Sequence, residues 1–252
     1  MNVWAVVPAK PLAVAKARLA PLLTAGEREA LARVMLTDVL AALHDAPALA
    51  VVMVVSADPA ALELAAALGA RPLAEPAAGN GLGWNGAGRS SAIERPDTPD
   101  HEAGLNAALD YAASVALDGG ADALLALPAD VPLVTPEDVA ALIDALPPSP
   151  SAVLASTADG GTGALLRSPP LAFPARFGPR SLQAHTEAAA RHAVPTRLVR
   201  RPNLALDIDR PADLLRLVAL PLRSRTQELL AEWRLPDRRA AQNAATSAPG
   251  GR

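Results

Sequence analysis

The amino-acid sequence predicts a single α/β domain of Rossmann-like architecture, with a mainly parallel central sheet flanked by helices. Three observations lead there. Short apolar runs rich in β-branched residues alternate with segments of helical periodicity, and most connections between them are short. A length of 252 residues with 51% apolar and 19% charged side chains is that of a globular chain able to bury a sizeable core. No internal repeat is evident, so residues 1–222 are assigned to one domain and 223–252 to a C-terminal tail.

Val3 to Val7 is a short run stopped by Pro8, which reads as a buried strand opening into a loop. Thr24 and Glu27 have the spacing of a capping box; Leu31, Val34, Met35, Val39, Ala42 and Leu43 then recur on one helical face. Leu49 to Val55 is a second buried strand, after which Asp58 and Pro59 supply an N-cap and a proline at the first helical position. Residues 71–74 form a third short strand. The stretch 75–102, rich in Gly, Pro, Asn and Ser, reads as an exposed loop insertion. A helix from about Ala103 to Leu117 leads to a strand at Ala123 to Leu127, and Thr135 caps the next helix. A strand at Ser151 to Ser156, an extended segment near Ala164 to Arg167, a helix from about Ser181 and a strand near Leu198 follow. A last strand-like piece, Leu204 to Ile208, precedes a helix from about Pro211. The tail is expected to hold a short helix and, beyond Trp233, to be disordered and loose.

Composition excludes several classes of function. There is no cysteine, so thiolate nucleophiles, disulfides and cysteine zinc sites drop out. His44, His101, His185 and His192 are scattered without metal-ligand spacing, and the last three read as surface residues. The longest apolar stretch, Ala48 to Val55, is too short to span a bilayer, so a cytoplasmic protein with no membrane partner is expected. The formal net charge of -3 argues against a general nucleic-acid surface. Of 23 basic residues only Lys10 and Lys16 are lysine, both on the loop after the first strand. Any anion must therefore be held by a local cluster, and a compact ammonium charge is concentrated there.

In an open parallel sheet, ligands sit beyond the carboxyl ends of the strands. Lys10, Lys16 and Arg18 occupy the first such loop without an intervening acid, an arrangement suited to a nucleoside triphosphate. Asp130 ends the apolar strand Leu124–Leu127, where a metal or ligand would sit. Asp207 and Asp209 are two apart; in extended chain both carboxylates face one side and call for a bridging cation. With Asp130 they make a set for Mg2+, although Asp209 also suits a helix cap. The turn Asp159 to Gly163, and Phe177 to Ser181 at a helix start with Arg180, together suggest an anion site. Gly81 to Gly86 fits the dinucleotide fingerprint GxGxxG, but no strand enters it and no amphipathic helix leaves it, so it is read as a loop.

The runs VPAKPLAVAKARLAPLL, EAGLNAAL, LPADVPLVTPEDV, GGTGALLR, FPARFGPRS and LDIDRPADL, in this order, resemble the 2-phospho-L-lactate guanylyltransferase family. The resemblance covers about residues 1–220. It implies the Rossmann-like nucleotide-diphospho-sugar transferase fold and transfer of GMP from GTP to the phosphate of a small phosphorylated carboxylate, with release of pyrophosphate. The acceptors of such enzymes are 2-phospho-L-lactate, phosphoenolpyruvate or 3-phospho-D-glycerate, and the pathway is 5-deazaflavin coenzyme biosynthesis. By motif, Lys10, Lys16 and Arg18 would hold the GTP phosphates and share the catalytic role with Asp130. Gly104, Leu105 and Asn106 would meet the nucleoside, Asp130, Asp207 and Asp209 the Mg2+, and Thr162, Gly178 and Ser181 the acceptor. Two positions depart from the family: Gly163 stands where Asn is frequent, and Arg180 where a small residue or an acid is usual. The alternatives are a molybdopterin-type nucleotidyltransferase of the same fold and a non-catalytic nucleotide-binding module. Oligomeric state stays open, with a homodimer among the options.

Overall fold

The computed structural model describes residues 1–76 and 100–235. Among the described residues, seven strands form one sheet: β1 (Val3–Pro8), β2 (Leu49–Ser56), β3 (Arg71–Ala74), β4 (Ala123–Ala126), β5 (Ser151–Ser156), β6 (Thr162–Ser168) and β7 (Thr196–Val199). Their order is β3-β2-β1-β4-β6-β5-β7. Only β6 runs against its neighbours, β4 and β5. The reason is local: β5 and β6 are joined by the tight turn 157–161, which contains Gly160 at φ 87°, and so short a link permits only antiparallel pairing.

Both faces of the sheet are covered, which is why β1, β2 and β4 read as continuous apolar runs. Val3, Ala5 and Val7 point to one face, packed by α1 (Ala25–His44), α2 (Pro59–Ala67) and α4 (Pro136–Asp144). Trp4 and Val6 point to the other, under α3 (Asp100–Asp118) and α5 (Ser181–Arg191). The capping boxes at Thr24–Glu27 and Thr135–Asp138 form, and Asp58 caps α2 by accepting from the Ala60 amide. Helix α3 begins at Asp100, three residues before the position its sequence suggests.

The piece Leu204–Ile208 is not a strand. Pro202–Leu204 is a turn of 3-10 helix, and the following residues leave the sheet. Its alternating apolar pattern arises because Leu206 and Ile208 bury against a separate cluster formed with α1 and α6 (Pro211–Ala219), while Leu204 packs on the main core. That cluster also includes Leu230 of α7 (Arg225–Glu232). This helix is docked rather than loose: the buried carboxylate of Asp38 on α1 accepts from the Thr226 amide at 2.8 Å and its hydroxyl at 2.7 Å. The glycine motif 81–86, most of the stretch 75–102 and the tail beyond 235 lie outside the described residues. Among the described residues, no helix is long and apolar enough to cross a membrane.

Candidate active site

The chain order reverses between β1, whose other neighbour is β2, and β4. Loops leaving these two strands diverge and open a crevice at their carboxyl ends, the position where open α/β sheets take ligands. The β1 loop is fastened to the end of β2. Ala9 donates from its amide to the Val55 carbonyl at 3.0 Å, the Ser56 hydroxyl donates to the Ala9 carbonyl at 2.7 Å, and the Leu12 amide donates to Asp58 Oδ2 at 2.8 Å. Buried Leu12 and Leu19 anchor two 3-10 turns, and Lys16 joins them at φ 57°, a left-handed conformation that is unfavourable for a lysine.

What holds Lys16 there is a carboxylate. Its Nζ lies 2.6 Å from Asp130 Oδ2, with the lysine side chain 12% exposed and the aspartate 27%. Two residues on, Arg18 pairs with Asp209 in a more open setting, 67% and 36% exposed. Lys10 is exposed at the head of the loop. Lys16 and Arg18 are thus brought to the carboxylates Asp130 and Asp209 that separate motifs predict.

The acidic side is built by cross-links between loops. The Ile208 amide donates to the Asp130 carbonyl at 2.9 Å, bringing the 205–209 segment beside the β4 loop. Arg201 Nε and Asn203 Nδ2 donate to the fully buried Asp138 carboxylate at 2.7 and 2.8 Å, tying the start of that segment to α4. The Asp213 carboxylate accepts from the amides of Asp209 and Arg210. Asp209 is therefore not the helix cap: Arg210 occupies that position, and the Asp209 carboxylate turns to Arg18. Burial raises the Asp207 pKa to about 6, and the negative charge of Asp130 adds to the shift. Asp159 is moved the other way, its carboxylate stabilised by the Thr157 hydroxyl and the Gly161 amide.

Whether these groups suit Mg2+ turns on the donors. Among the described residues, no cluster of three or more acidic or histidine side chains forms a ready cage. Mg2+ does not require one, since it commonly takes one or two carboxylates and completes its shell with water and phosphate oxygens. Asp130 and Asp207 lie near enough for the charge of one to raise the pKa of the other and fit that requirement; Asp130 is paired with Lys16 and Asp209 with Arg18, so either would have to release its cation to bind a metal.

The second half of the crevice lies between the β5–β6 turn and the start of α5. Thr162 opens β6 and is 5% exposed; Ser181 opens α5 and is 3% exposed. A Cβ on Gly161 would come within 3.7 Å of Ser181 Oγ, so the two motifs adjoin. Gly178 has φ 140° and Arg180 φ 54°, which turns the chain sharply into the helix. Gly163 is required by close packing: a Cβ there would lie 2.1 Å from the Leu204 carbonyl oxygen. An Asn at this position would have no room, because the 202–204 turn occupies its place.

Helix α3 acts as a strap for this half. The Asn106 carboxamide donates to the Phe177 carbonyl at 2.9 Å and accepts from the Phe177 amide at 2.7 Å. One turn on, Asp110 Oδ1 accepts from the Ala175 amide at 2.9 Å and from fully buried Arg167 at 3.0 Å. Gly104 and Leu105 are on the same helix, Gly104 exposed and Leu105 half-buried, while Asn106 holds the loop before α5. His185, expected at the surface, is fully buried, and burial together with the charges of Arg167 and Arg176 pushes its pKa down to about 3. It sits inside because Leu182, His185, Ala188 and Ala189 share the inner face of α5. His192 is exposed as expected, and the side chain of His101 lies outside the described residues.

A model of the family described as "Guanylyl transferase CofC like" matches residues 3–82 and 94–241. The chain belongs to this family. A phosphoenolpyruvate guanylyltransferase from Rubrobacter xylanophilus is 44% identical over 220 residues, covering 87% of this chain and 95% of the relative. A 3-phospho-D-glycerate guanylyltransferase from Phenylobacterium zucineum is 34% identical, covering 87% and 93%. In structure, the chain is similar to a protein assigned to the nucleotide-diphospho-sugar transferases from Desulfovibrio desulfuricans, with a TM-score of 0.65 at 20% identity over 92% of this chain and 95% of the other. That likeness fixes the fold, and membership of the CofC-like family makes the chain a nucleotidyltransferase.

Sequence reasoning missed Asp58 as the anchor of the cationic loop, Asp110 and Arg167 as supports of the acceptor half, and His185. Asn106 and Asp110 are four apart on one helix face, a spacing that could have paired them.

Proposed function

We propose that this CofC-like protein is a cytoplasmic guanylyltransferase that moves GMP from GTP onto the phosphate of phosphoenolpyruvate or 3-phospho-D-glycerate, with 2-phospho-L-lactate as the third acceptor class. The product would enter 5-deazaflavin coenzyme biosynthesis. The observation that carries this reading is the pairing of Lys16 with Asp130 in the crevice, with Arg18–Asp209 beside it. Cations already gathered opposite carboxylates can exchange them for triphosphate oxygens, while the carboxylates pass to a metal.

Asp130 and Asp207 would hold Mg2+, which supplies neutralisation of charge on the α-phosphate and the departing pyrophosphate. Lys10, Lys16 and Arg18 bind and orient the triphosphate. Gly104 and Leu105 flank the nucleoside, and Asn106 fixes the loop between nucleoside and acceptor. Thr162, Ser181 and the amides around Gly178 orient the acceptor, with Arg180 at the same helix start adding positive charge. The acceptor's phosphate has a second pKa near ~6 and is largely dianionic at neutral pH, so no general base is needed. Its oxygen attacks the α-phosphorus in line, a new P–O bond forms, and the bond from the α-phosphorus to the bridging oxygen breaks with its electron pair leaving on pyrophosphate.

Incubation with each of the four nucleoside triphosphates, Mg2+ and each acid, with mass identification of the product, tests the assignment. A guanylylated acid formed from GTP alone is expected. A cytidylylated product, or none with any acid, would overturn it.

A further inference from the structure

The proposed chemistry leaves one interior titratable group without a role. His185 is fully buried, and its ring meets that of Phe177 edge-on at 4.8 Å between centroids. The Arg176 backbone N–H donates to His185 Nε2 at 2.9 Å. An amide nitrogen can only donate, so Nε2 carries the lone pair and, in the neutral ring, Nδ1 carries the proton. Two cations face the ring, Arg167 from β6 and Arg176 from the loop before α5, and with burial they keep it neutral.

Nδ1 lies 2.9 Å from Thr162 Oγ1. Since Nδ1 is the donor, the threonine oxygen can only accept from it, beside the ring's hydrogen bond to the Ser181 backbone, and the hydroxyl's own proton is left for another group. Among the described residues, the Thr162 hydroxyl has no further hydrogen-bond partner. In a residue as buried as Thr162, an unused hydroxyl donor is costly unless something takes the proton. The opposite tautomer would do the reverse: Thr162 would donate to the ring and turn oxygen lone pairs toward an anion.

We propose that His185 is a positioning residue for the acceptor, holding the Thr162 hydroxyl as a donor to the acceptor's anionic group. This rests on the reading of Thr162, Gly178 and Ser181 as the acceptor site. Phe177 and Arg176 fix the ring, the ring fixes Thr162, and Thr162 meets the ligand.

Two measurements test it. Nitrogen NMR of protein labelled at histidine should show one ring protonated at Nδ1 and bare at Nε2, unchanged in charge from neutral to mildly acidic pH; a proton on Nε2 would overturn the inference without any variant. In steady-state assays with phosphoenolpyruvate and 3-phospho-D-glycerate, His185→Phe should raise the acceptor KM about tenfold, the scale of one hydrogen bond to a charged group, with the GTP KM within about twofold. His185→Gln, which keeps a donor and an acceptor, should restore most of the loss. His185→Phe added to Thr162→Val should raise the acceptor KM little beyond Thr162→Val alone. If Thr162→Val raises the acceptor KM and His185→Phe does not, only the role of His185 fails. If Thr162→Val has no effect on it either, the acceptor-site reading fails, and this inference with it.

Discussion

On the nucleotide side of the crevice, Lys16 meets Asp130 and Arg18 meets Asp209 through ion pairs that reach solvent. On the proposed acceptor side, Asn106, Asp110, Arg167 and His185 hold the loop 173–177 and the start of α5 through directional bonds, with Arg167 and His185 themselves fully buried. Lys16, though only 12% exposed, faces a carboxylate that is 27% exposed and so keeps water at hand, and the exposed Arg18–Asp209 pair contributes little to stability and can change partners at small cost. Buried charged bonds cannot, because removing one partner strands the other away from water. Under the proposed function the contrast is a division of labour: the side proposed for the triphosphate carries exchangeable contacts, and the side proposed for the acceptor is built before any ligand arrives.

Substitutions on either side should break this comparison in opposite ways. The largest effect belongs to Lys16→Ala, which should lower the rate of GTP-dependent pyrophosphate release by about 10²–10³-fold, the scale of removing one charge-stabilising donor, while the unfolding midpoint moves little. Asp110→Ala should do the converse. It leaves the Arg167 guanidinium, which is 0% exposed, without its carboxylate, and urea unfolding should report a loss of about 3 kcal/mol. Gly163→Ala should cost about 2 kcal/mol by the same measurement, since the added methyl meets the Leu204 carbonyl and either the turn or β6 must shift.

The pH dependence of stability sharpens the acidic part of the nucleotide side. The folded protein raises the Asp207 pKa from 3.8 to about 6, so between these values the native state holds a proton that the unfolded chain has lost. Stability from this group is present at low pH and declines as pH rises through about 6. Asp207→Asn should therefore match the original chain below about pH 4 and exceed it above about pH 6, by about 1 kcal/mol once solvent screening of this partly exposed carboxyl is discounted. Thermal melts across that range check it. The smallest effect is on Arg18→Ala, whose exposed pair should change stability by no more than about 0.5 kcal/mol.

The same division explains what was legible in the chain. Signals confined to a few neighbouring residues were readable: the capping boxes at Thr24 and Thr135, the N-cap at Asp58, the buried strands, and the cations and carboxylates at strand ends. Contacts made across the fold were not. Asp58 reads as a helix cap, and nothing local says that its second oxygen holds Leu12, 46 residues away. The alternation at 204–208 imitates a strand because two different clusters bury its apolar residues, and no local rule separates that from a sheet. His185 lies among polar neighbours, and only its spacing to Leu182, Ala188 and Ala189 marks it as inward-facing. The half proposed for the nucleotide was readable because it carries charge at strand ends; the half proposed for the acceptor was less so because its contacts are made by burial.

The most direct test of guanylyl transfer is phosphorus NMR of the reaction of this protein with GTP, Mg2+ and phosphoenolpyruvate or 3-phospho-D-glycerate. The account predicts that the acceptor's phosphomonoester signal is replaced by a coupled diphosphate pair, with one pyrophosphate appearing for each acceptor consumed. GTP converted to GDP and inorganic phosphate, with both acceptors left as phosphomonoesters, would contradict it.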